Sequence, residues 1–191
     1  MKTILKLTCF LLFTIQVSCQ VTQIKPLNYT DIESNGDYLK DLDGILPFWV
    51  GTWKGTVNNR EYTFQFTKFT QHLTTFSSGR YFYLDELKAK FKVVDLSTNQ
   101  VLYDDLNVTE FSDYKIRYLS NLYEEYTFHF RDTESNCNNQ ARFTLIKSVD
   151  NPNQIAYKDF KYDENIYECP YETQADIPMF LPKTNLVLIR Q

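Results

Sequence analysis

Glycine, histidine and excess positive charge are all scarce in this chain. Its 191 residues include 5 Gly and 2 His, and 24 Asp and Glu outnumber 20 Lys and Arg, so the net charge is -4. An acidic chain without a basic stripe argues against a nucleic-acid partner, because that affinity depends on Lys and Arg meeting phosphates. The histidines, His72 and His129, are far apart and no Cys/His cluster accompanies them, so neither a metal nor another cofactor is expected.

Sequence motifs that carry catalysis are missing as well. The chain has no Gly-rich phosphate loop, no serine nucleophile elbow and no dinucleotide-binding fingerprint. The acid pairs Asp85-Glu86, Asp104-Asp105 and Glu124-Glu125 are interpreted as solvated surface, since neighbours in a strand face opposite ways and carboxylates are mostly exposed. The sequence therefore predicts a protein that is not an enzyme.

The N-terminal 19 residues have the composition of a secretory signal. Lys2 and Lys6 give a short basic start, and residues 7–17 are nearly all apolar. That apolar run is too short to span a bilayer, which takes about 20 residues. Small residues follow it, as in a cleavable signal peptide. We therefore predict export, with residues 1–19 removed or processed.

The end of this leader, Val17-Ser18-Cys19, resembles a bacterial lipobox. The resemblance implies that Cys19 receives lipid and becomes the mature N-terminus. Gln16 stands where that motif usually has Leu, and the alternative is plain signal cleavage after Cys19. Residues 20–23 carry no acidic run, so the expected location is the bacterial cell envelope, facing the periplasm, with the lipid as the only membrane attachment.

Aromatic residues are abundant, and they favour strands over helices. The chain has 14 Tyr, 15 Phe and 2 Trp. Residues 20–47 are the exception, because they are polar and irregular and form a predicted lead-in segment. Within it Leu39, Leu42 and Leu46 recur at helical spacing, which predicts a short helix over 37–46.

From residue 48 to residue 191 the apolar pattern has a period of two. Tyr62, Phe64 and Phe66 alternate with polar residues, and similar runs continue to the last residues. This alternation is typical of antiparallel strands with one buried face, so Lys88, Lys90, Lys92 and His129 are expected on the solvated face. Eight to ten strands joined by short links favour an all-β fold, a single antiparallel up-and-down barrel that fills one domain.

The aromatic residues of the inner face are the candidate lining of a cavity. They are Tyr62, Phe64, Phe66, Phe91, Tyr126, Phe128, Phe130 and Phe143. The interior of an eight-strand barrel is just filled by side chains or leaves room for one small ligand. Two interpretations therefore stay open: a hollow barrel around a small apolar molecule, or a filled core.

The tripeptide Gly51-Thr52-Trp53 opens the first long strand. It resembles the Gly-x-Trp start of lipocalins and related calycin barrels. The resemblance implies that Trp53 lies across the closed end of the barrel, where a large ring with one N–H donor is suitable. It also implies a late arginine packed on that ring, with Arg131 and Arg142 as candidates.

A second resemblance covers most of the mature chain. It rests on Tyr38-Leu39-Lys40-Asp41, residues 48–56, 85–87, 91–95 and 101–104, Cys137, Cys169-Pro170, Leu181-Pro182 and residues 186–188. These segments resemble a family of small exported proteins of Bacteroidota type, filed as a domain of unknown function, many of which look like lipoproteins. The resemblance implies an envelope location and supplies no binding residues.

Two cysteines, Cys137 and Cys169, lie outside the leader. In an oxidising compartment two such cysteines most often pair. The predicted disulfide would close a loop of about 33 residues and stabilise the fold by roughly 3.5–4 kcal/mol in the chain-entropy model. Two free thiols are the alternative, which conflicts with export.

The sequence thus predicts a non-enzymatic envelope protein with a calycin-like barrel that binds a small apolar or amphipathic molecule. The alternative is a structural or protein-interaction lipoprotein with a filled core, whose contact surface is the proline-containing segment 167–183. The sequence identifies neither the ligand nor a protein partner.

Overall fold

The computed structural model describes residues 21–29, 35–122, 125–132, 137, 139–163, 170–173 and 176–191. The leader and Cys19 lie outside these residues. Of the described residues, those of Met1–Leu42 and Gln71–Leu84 form one compact unit, and those of Asp43–Thr70 and Asp85–Gln191 form a second. No helix in the described part of the chain has the length and hydropathy required to cross a bilayer.

Strands dominate the described chain, as the alternating aromatics predict. Eleven are present in the described residues. They are β1 (Ile24–Pro26), β2 (Tyr38–Lys40), β3 (Gly51–Val57), β4 (Arg60–Thr75), β5 (Tyr81–Asp95), β6 (Gln100–Asp104), β7 (Ile116–Leu122), β8 (Glu125–Asp132), β9 (Asn139–Lys147), β10 (Gln154–Tyr162) and β11 (Leu186–Arg190). Two single 3-10 turns, Leu46–Phe48 and Phe111–Asp113, complete the described elements.

Eight of the described strands close into an antiparallel barrel, so the predicted fold class is confirmed. Their order is β5-β4-β3-β11-β10-β9-β8-β7, and a further pairing of β7 with β5 closes the ring. That closing pairing is short, with Lys88 opposite Arg117 and Ala89 opposite Ile116. β6 pairs with the end of β5, next to this closure.

Strand β3 approaches β11 unusually closely at Gly55. A Cβ atom there would lie 2.2 Å from the Val187 carbonyl oxygen, which no real side chain tolerates. Glycine is therefore required at this point of the wall, where its missing side chain lets two backbones meet.

The predicted lead-in helix over 37–46 is wrong. Tyr38–Lys40 is a strand that pairs in parallel with β1 and with Tyr83 and Leu84 of β5. Consecutive residues Tyr38 and Leu39 are both about 5% exposed, whereas Leu42 is 55% exposed, so the leucines do not share one helical face. Backbone pairing on both sides of β2 outweighs the weak helical spacing.

Candidate functional site

The interior of the barrel is packed with the aromatic residues that the sequence predicts as cavity lining. All eight of them are buried, with exposures between 0% and 7%. Phe64 from β4 stacks on Phe91 from β5 at 5.7 Å between ring centroids and lies 6.1 Å from Tyr157 of β10. The alternation therefore predicted the inner face correctly.

These rings contact one another inside the barrel. Phe143 of β9 lies 4.6 Å from Tyr157 and 5.6 Å from Phe128, and Phe128 lies 5.4 Å from Phe66 on β4. Offset and edge-to-face contacts at these distances are favourable beyond the buried area itself. The centre of the barrel is thus occupied by side chains from five strands.

Trp53 is packed against an arginine, as the Gly-x-Trp resemblance implies. Trp53 is fully buried and its Nε1 donates to the Trp49 carbonyl oxygen at 2.8 Å. The arginine is Arg190, whose guanidinium lies 4.2 Å from the Trp53 ring centroid, so the expectation of Arg131 or Arg142 is wrong. Both candidates lie on β8 and β9, whereas β11 pairs with β3 and places Arg190 directly opposite Trp53.

Arg190 also satisfies two backbone carbonyls of the turn that precedes β3. Its Nη1 donates to Val50 O at 2.9 Å, and its Nη2 donates to Phe48 O. Gly51 adopts φ +117, a conformation that side chains rarely accept, with Arg190 Nη1 3.6 Å from its ideal Cβ position. Gly51-Thr52-Trp53 therefore has a structural role, because it is held by Arg190.

The segment 176–183 contributes buried apolar residues to the same compact unit. Ile177, Met179 and Leu181 are 6%, 8% and 2% exposed. The Asn139 side chain donates to the Pro178 carbonyl oxygen at 3.2 Å and so fixes the segment to β9. These three side chains of the predicted contact surface thus pack inward, whereas residues 170–173 of the same segment are exposed.

A cavity of about 440 Å³ lies where this segment meets the β3–β4 hairpin. We call it the mouth cavity. Its lining residues are Asn58, Arg60, Tyr62, Met179, Leu181 and Lys183. Asn58 and Asn59 form the hairpin turn with φ of +50 and +60, and the Asn58 amide donates to Thr184 Oγ1 at 3.2 Å. The lining combines two cations, one phenol and two apolar side chains, so it can receive an anionic head with a short apolar body.

Tyr62 lines the mouth cavity and influences a second phenol, Tyr157, in the core. Burial raises the pKa of Tyr62, while a hydrogen bond and the charge of Arg60 offset part of that rise. Burial raises the pKa of Tyr157 well above its ordinary value, and the neighbouring Tyr62 adds to the effect. The Tyr157 hydroxyl is buried and has no hydrogen-bond partner within the described residues. A buried hydroxyl without a partner is costly, and such a group is a candidate ligand contact.

Arg60, Lys183, Met179 and Leu181 were not predicted as site residues. Arg60 is the first residue of β4, and the other three lie in an irregular segment, where no period marks which side chains converge. The Asn58-Asn59 turn was the available signal, because it brings the start of β4 to one end of the barrel.

Other sequence expectations have mixed outcomes. His129 is 7% exposed, so its predicted solvent-facing position is wrong; it contacts Gln140 Oε1 at 2.9 Å. Cys137 is 2% exposed, while Cys169 lies outside the described residues, so their pairing stays a prediction. Within the part of the chain that the structure describes, no three His, Cys, Asp or Glu side chains are grouped to hold a metal ion.

The comparisons with protein-family models, with curated proteins and with solved structures found no match. The site therefore has to be interpreted from its own geometry.

Proposed function

We propose that this chain is an exported, non-enzymatic binding protein of the bacterial cell envelope. Its ligand is a small amphipathic molecule with an anionic head, held at the mouth cavity of a calycin-like barrel. The observation that carries the proposal is a cavity that bears Arg60 and Lys183 and is lined by Tyr62. Tyr62 in turn influences the buried, unpartnered hydroxyl of Tyr157.

The size of the mouth cavity supports a small ligand. Its volume of about 440 Å³ falls near the lower end of the usual range for ligand pockets, which is roughly 300–1,000 Å³. In the core, the rings of Phe64 and Phe143 both contact the ring of Tyr157. The ligand in this proposal therefore occupies the mouth and reaches the core only through its contact with the phenols.

The chemistry of the lining supports an anionic head. Arg60 and Lys183 are two cations that are far apart in the sequence. Arg60 lies on β4, and Lys183 lies in the segment before β11. Charge-assisted hydrogen bonds from such groups to a carboxylate or phosphate are about twice as strong as neutral ones. Met179 and Leu181 supply the apolar contact for the rest of the molecule.

Octanoate and octanol are matched probes for this proposal. We expect the purified protein to bind octanoate saturably in isothermal titration and to bind octanol at least about tenfold more weakly, because only the carboxylate meets Arg60 and Lys183. The double variant Arg60→Ala/Lys183→Ala should lose this preference. Lys158→Ala, on the strand that carries Tyr157 but outside the lining, is the control. Equal binding of both probes, or of neither, contradicts the proposal.

Tyr157→Phe tests the phenol separately. We expect the variant to bind octanoate several-fold more weakly while its unfolding midpoint is equal or higher, because the buried hydroxyl without a partner is removed. An unchanged affinity would show that the ligand does not reach Tyr157.

Location is the second part of the proposal, and the leader supports it. Lipid attachment at Cys19 would tether the barrel in the envelope, and an oxidising compartment would favour pairing of Cys137 with Cys169. Metabolic labelling with a lipid precursor should mark the wild-type chain and leave Cys19→Ala unmarked. Labelling of neither chain indicates plain signal cleavage instead.

A filled barrel favours a second candidate function, that of a structural or protein-interaction lipoprotein. The mutual packing of Phe64, Phe91, Phe128 and Phe143 is the observation behind it. Cross-linking in cells should then capture a reproducible envelope partner, with octanoate binding absent.

A further inference from the structure

The outer wall of the barrel carries a row of basic side chains directly opposite one another. Lys88 on β5 pairs with Arg117 on β7, Arg117 pairs with His129 on β8, and His129 pairs with Arg142 on β9. Like charges in directly opposite positions of adjacent strands destabilise a sheet. Lys88 and Arg117 are such a like-charged pair, whereas burial lowers the pKa of His129. The end of the row at Lys88 and Arg117 therefore calls for a compensating negative charge.

Carboxylates of the described residues supply part of that charge. Arg142 Nε is 2.5 Å from Asp163 Oδ1, and His129 Nε2 is 3.3 Å from Asp163 Oδ2. Glu86 lies within the field of Lys88 and Arg117, yet burial raises its pKa and weakens it as a counterion. Compensation is thus strongest at the β9 end of the row and weakest near Lys88 and Arg117.

A cavity of about 370 Å³ opens at that undercompensated end. We call it the basic cleft. Its described lining holds four Lys and Arg side chains, Lys88, Lys115, Arg117 and Arg131, against one carboxylate, Asp113. The whole chain has a net charge of -4, so this concentration of positive charge is local. Clefts lined by one sign of charge focus the field and attract counterions.

Lys88 is held at the floor of the basic cleft. It is 8% exposed, its Nζ donates to the Phe111 carbonyl oxygen at 2.9 Å, and Nζ lies 3.5 Å from the Phe111 ring centroid. An ammonium has three N–H donors, so two remain beyond the bond to Phe111. Burial lowers the pKa of Lys88, and the charge of Arg117 lowers it further, as expected for crowded cations.

The other lining residues lie at the rim of the basic cleft. Lys115 Nζ is 3.1 Å from Asp132 Oδ1, and the Ser112 hydroxyl donates to Asp113 Oδ1 at 2.8 Å. Both carboxylates therefore have a partner of their own. Arg117 and Arg131 are exposed at the edge of the basic cleft, and a planar guanidinium matches the geometry of a phosphate group.

We propose that the basic cleft is a binding site for a phosphoryl group, with Lys88 at its floor and Arg117 and Arg131 at its rim. A phosphoryl group carries up to two negative charges on three acceptor oxygens, which matches an ammonium between two guanidinium forks. The cleft is too small and the chain too acidic for a nucleic acid. This site is separate from the mouth cavity and does not depend on the function proposed for it.

Pyrophosphate is the soluble probe, and phosphatidylglycerol vesicles are the lipid probe. At low ionic strength we expect saturable pyrophosphate binding, followed by amide chemical shifts. Arg117→Ala and Arg131→Ala should each weaken it about tenfold through the loss of a charge-assisted hydrogen bond. Both side chains are exposed, so neither variant should impair folding. Lys40→Ala removes an equal charge on β2, outside the lining, and should change the affinity less than twofold.

The two probes also distinguish the source of the phosphoryl group. Flotation with phosphatidylcholine vesicles that contain phosphatidylglycerol, and not with phosphatidylcholine alone, would assign a membrane headgroup, provided Arg117→Ala abolishes it. Binding of pyrophosphate alone would assign a soluble phosphate ester. Binding of neither probe overturns the proposal, and so does an equal effect of Lys40→Ala and Arg117→Ala. Octanoate binding is read out independently, so failure of one site leaves the other testable.

Discussion

The two faces of strand β5 are both buried, but by different means. Its inner residues Leu87, Ala89, Phe91 and Val93 are fully buried among apolar neighbours. Its outer residues Lys88 and Lys90 are 8% exposed. The inner face is stabilised by the apolar area removed from water, which contributes about 25 cal/mol per Å². The outer face depends instead on a few polar contacts at fixed positions.

The cover of the outer face is the segment 105–114 between β6 and β7. Lys88 and Lys90 hold it by donating to the Phe111 and Val108 carbonyl oxygens at 2.9 and 2.8 Å. Asp105 accepts a hydrogen bond from Phe91 N at 2.5 Å and donates its own N–H to Phe91 O at 3.2 Å. Asp105 thus continues the pairing of β5 in the gap between its β6 and β7 partners. The comparison shows that alternation of apolar and polar residues distinguishes the two faces of a strand. It does not determine how exposed each face is.

Removing an inner ring should have the largest effect. Phe143→Ala deletes a side chain that is 1% exposed and contacts Tyr157 and Phe128, so we expect a loss of about 3–5 kcal/mol in the free energy of unfolding. Urea denaturation with an unchanged slope measures it. Val187→Ala, at 48% exposure, should stay within about 0.5 kcal/mol. A loss below about 1 kcal/mol for Phe143→Ala would reopen the hollow barrel.

Removing a polar contact of the cover should have an intermediate effect. Asp105→Ala leaves the buried Phe91 N–H without its acceptor and removes the partner of the Tyr103 hydroxyl, so we expect a loss of about 1–3 kcal/mol. Asp105→Asn keeps an acceptor oxygen in place and is the matched control. Equal losses in both variants would show that the charge of Asp105, rather than its hydrogen bonds, holds the cover.

The neighbours Asp104 and Asp105 should give opposite pH dependence. Burial raises the pKa of Asp105 above 3.8, so its contribution to stability is present below that pH and is lost as the pH rises. The bond from Lys92 lowers the pKa of Asp104, so its contribution is present above 3.8 and is lost as the pH falls. From pH 3 to 7, Asp105→Asn should gain stability relative to wild type and Asp104→Asn should lose it. A stability difference from wild type that changes in the same direction with pH in both variants would contradict this prediction.

A surface pair on the outer face should have the smallest effect. Lys92 Nζ is 2.8 Å from Asp104 Oδ2, and both side chains are about 30% exposed. A double-mutant cycle with Lys92→Met and Asp104→Asn should give a coupling of about 0.2–1 kcal/mol, because water screens the pair. Added salt should reduce it. A coupling as large as the loss in Asp105→Ala would erase the difference between covered and exposed contacts.

The sequence predicted the barrel because its signal is local and repeated. Every candidate lining residue from Tyr62 to Phe143 lies on the inner face, and each strand carries the alternation by itself. The packing of an arginine on Trp53 was also implied by the Gly-x-Trp resemblance, although the arginine itself was not identified.

The residues whose exposure was predicted wrongly are polar residues that the fold covers. Lys88, Lys90 and His129 were expected in solvent, and Asp85 and Asp105 were expected on a solvated surface, yet all five are at most 8% exposed. Asp85 pairs with Lys68 at 3.1 Å, and Asp105 lies in the cover itself. Neither the cover nor Arg190 can be located before the strands are arranged, because their partners are distant in the chain.

The closure at Trp53 also determines when this chain can finish folding. β11 pairs with β3, and Arg190 donates to Phe48 O, a residue 142 positions earlier. Contacts this distant in sequence slow folding, because a long loop must be ordered before they form. A nascent chain that lacks β11 leaves the β3 edge and the Trp53 ring uncovered. The ring of strands in such a chain stays open until β11 pairs with β3, so the barrel is completed only when its last strand arrives.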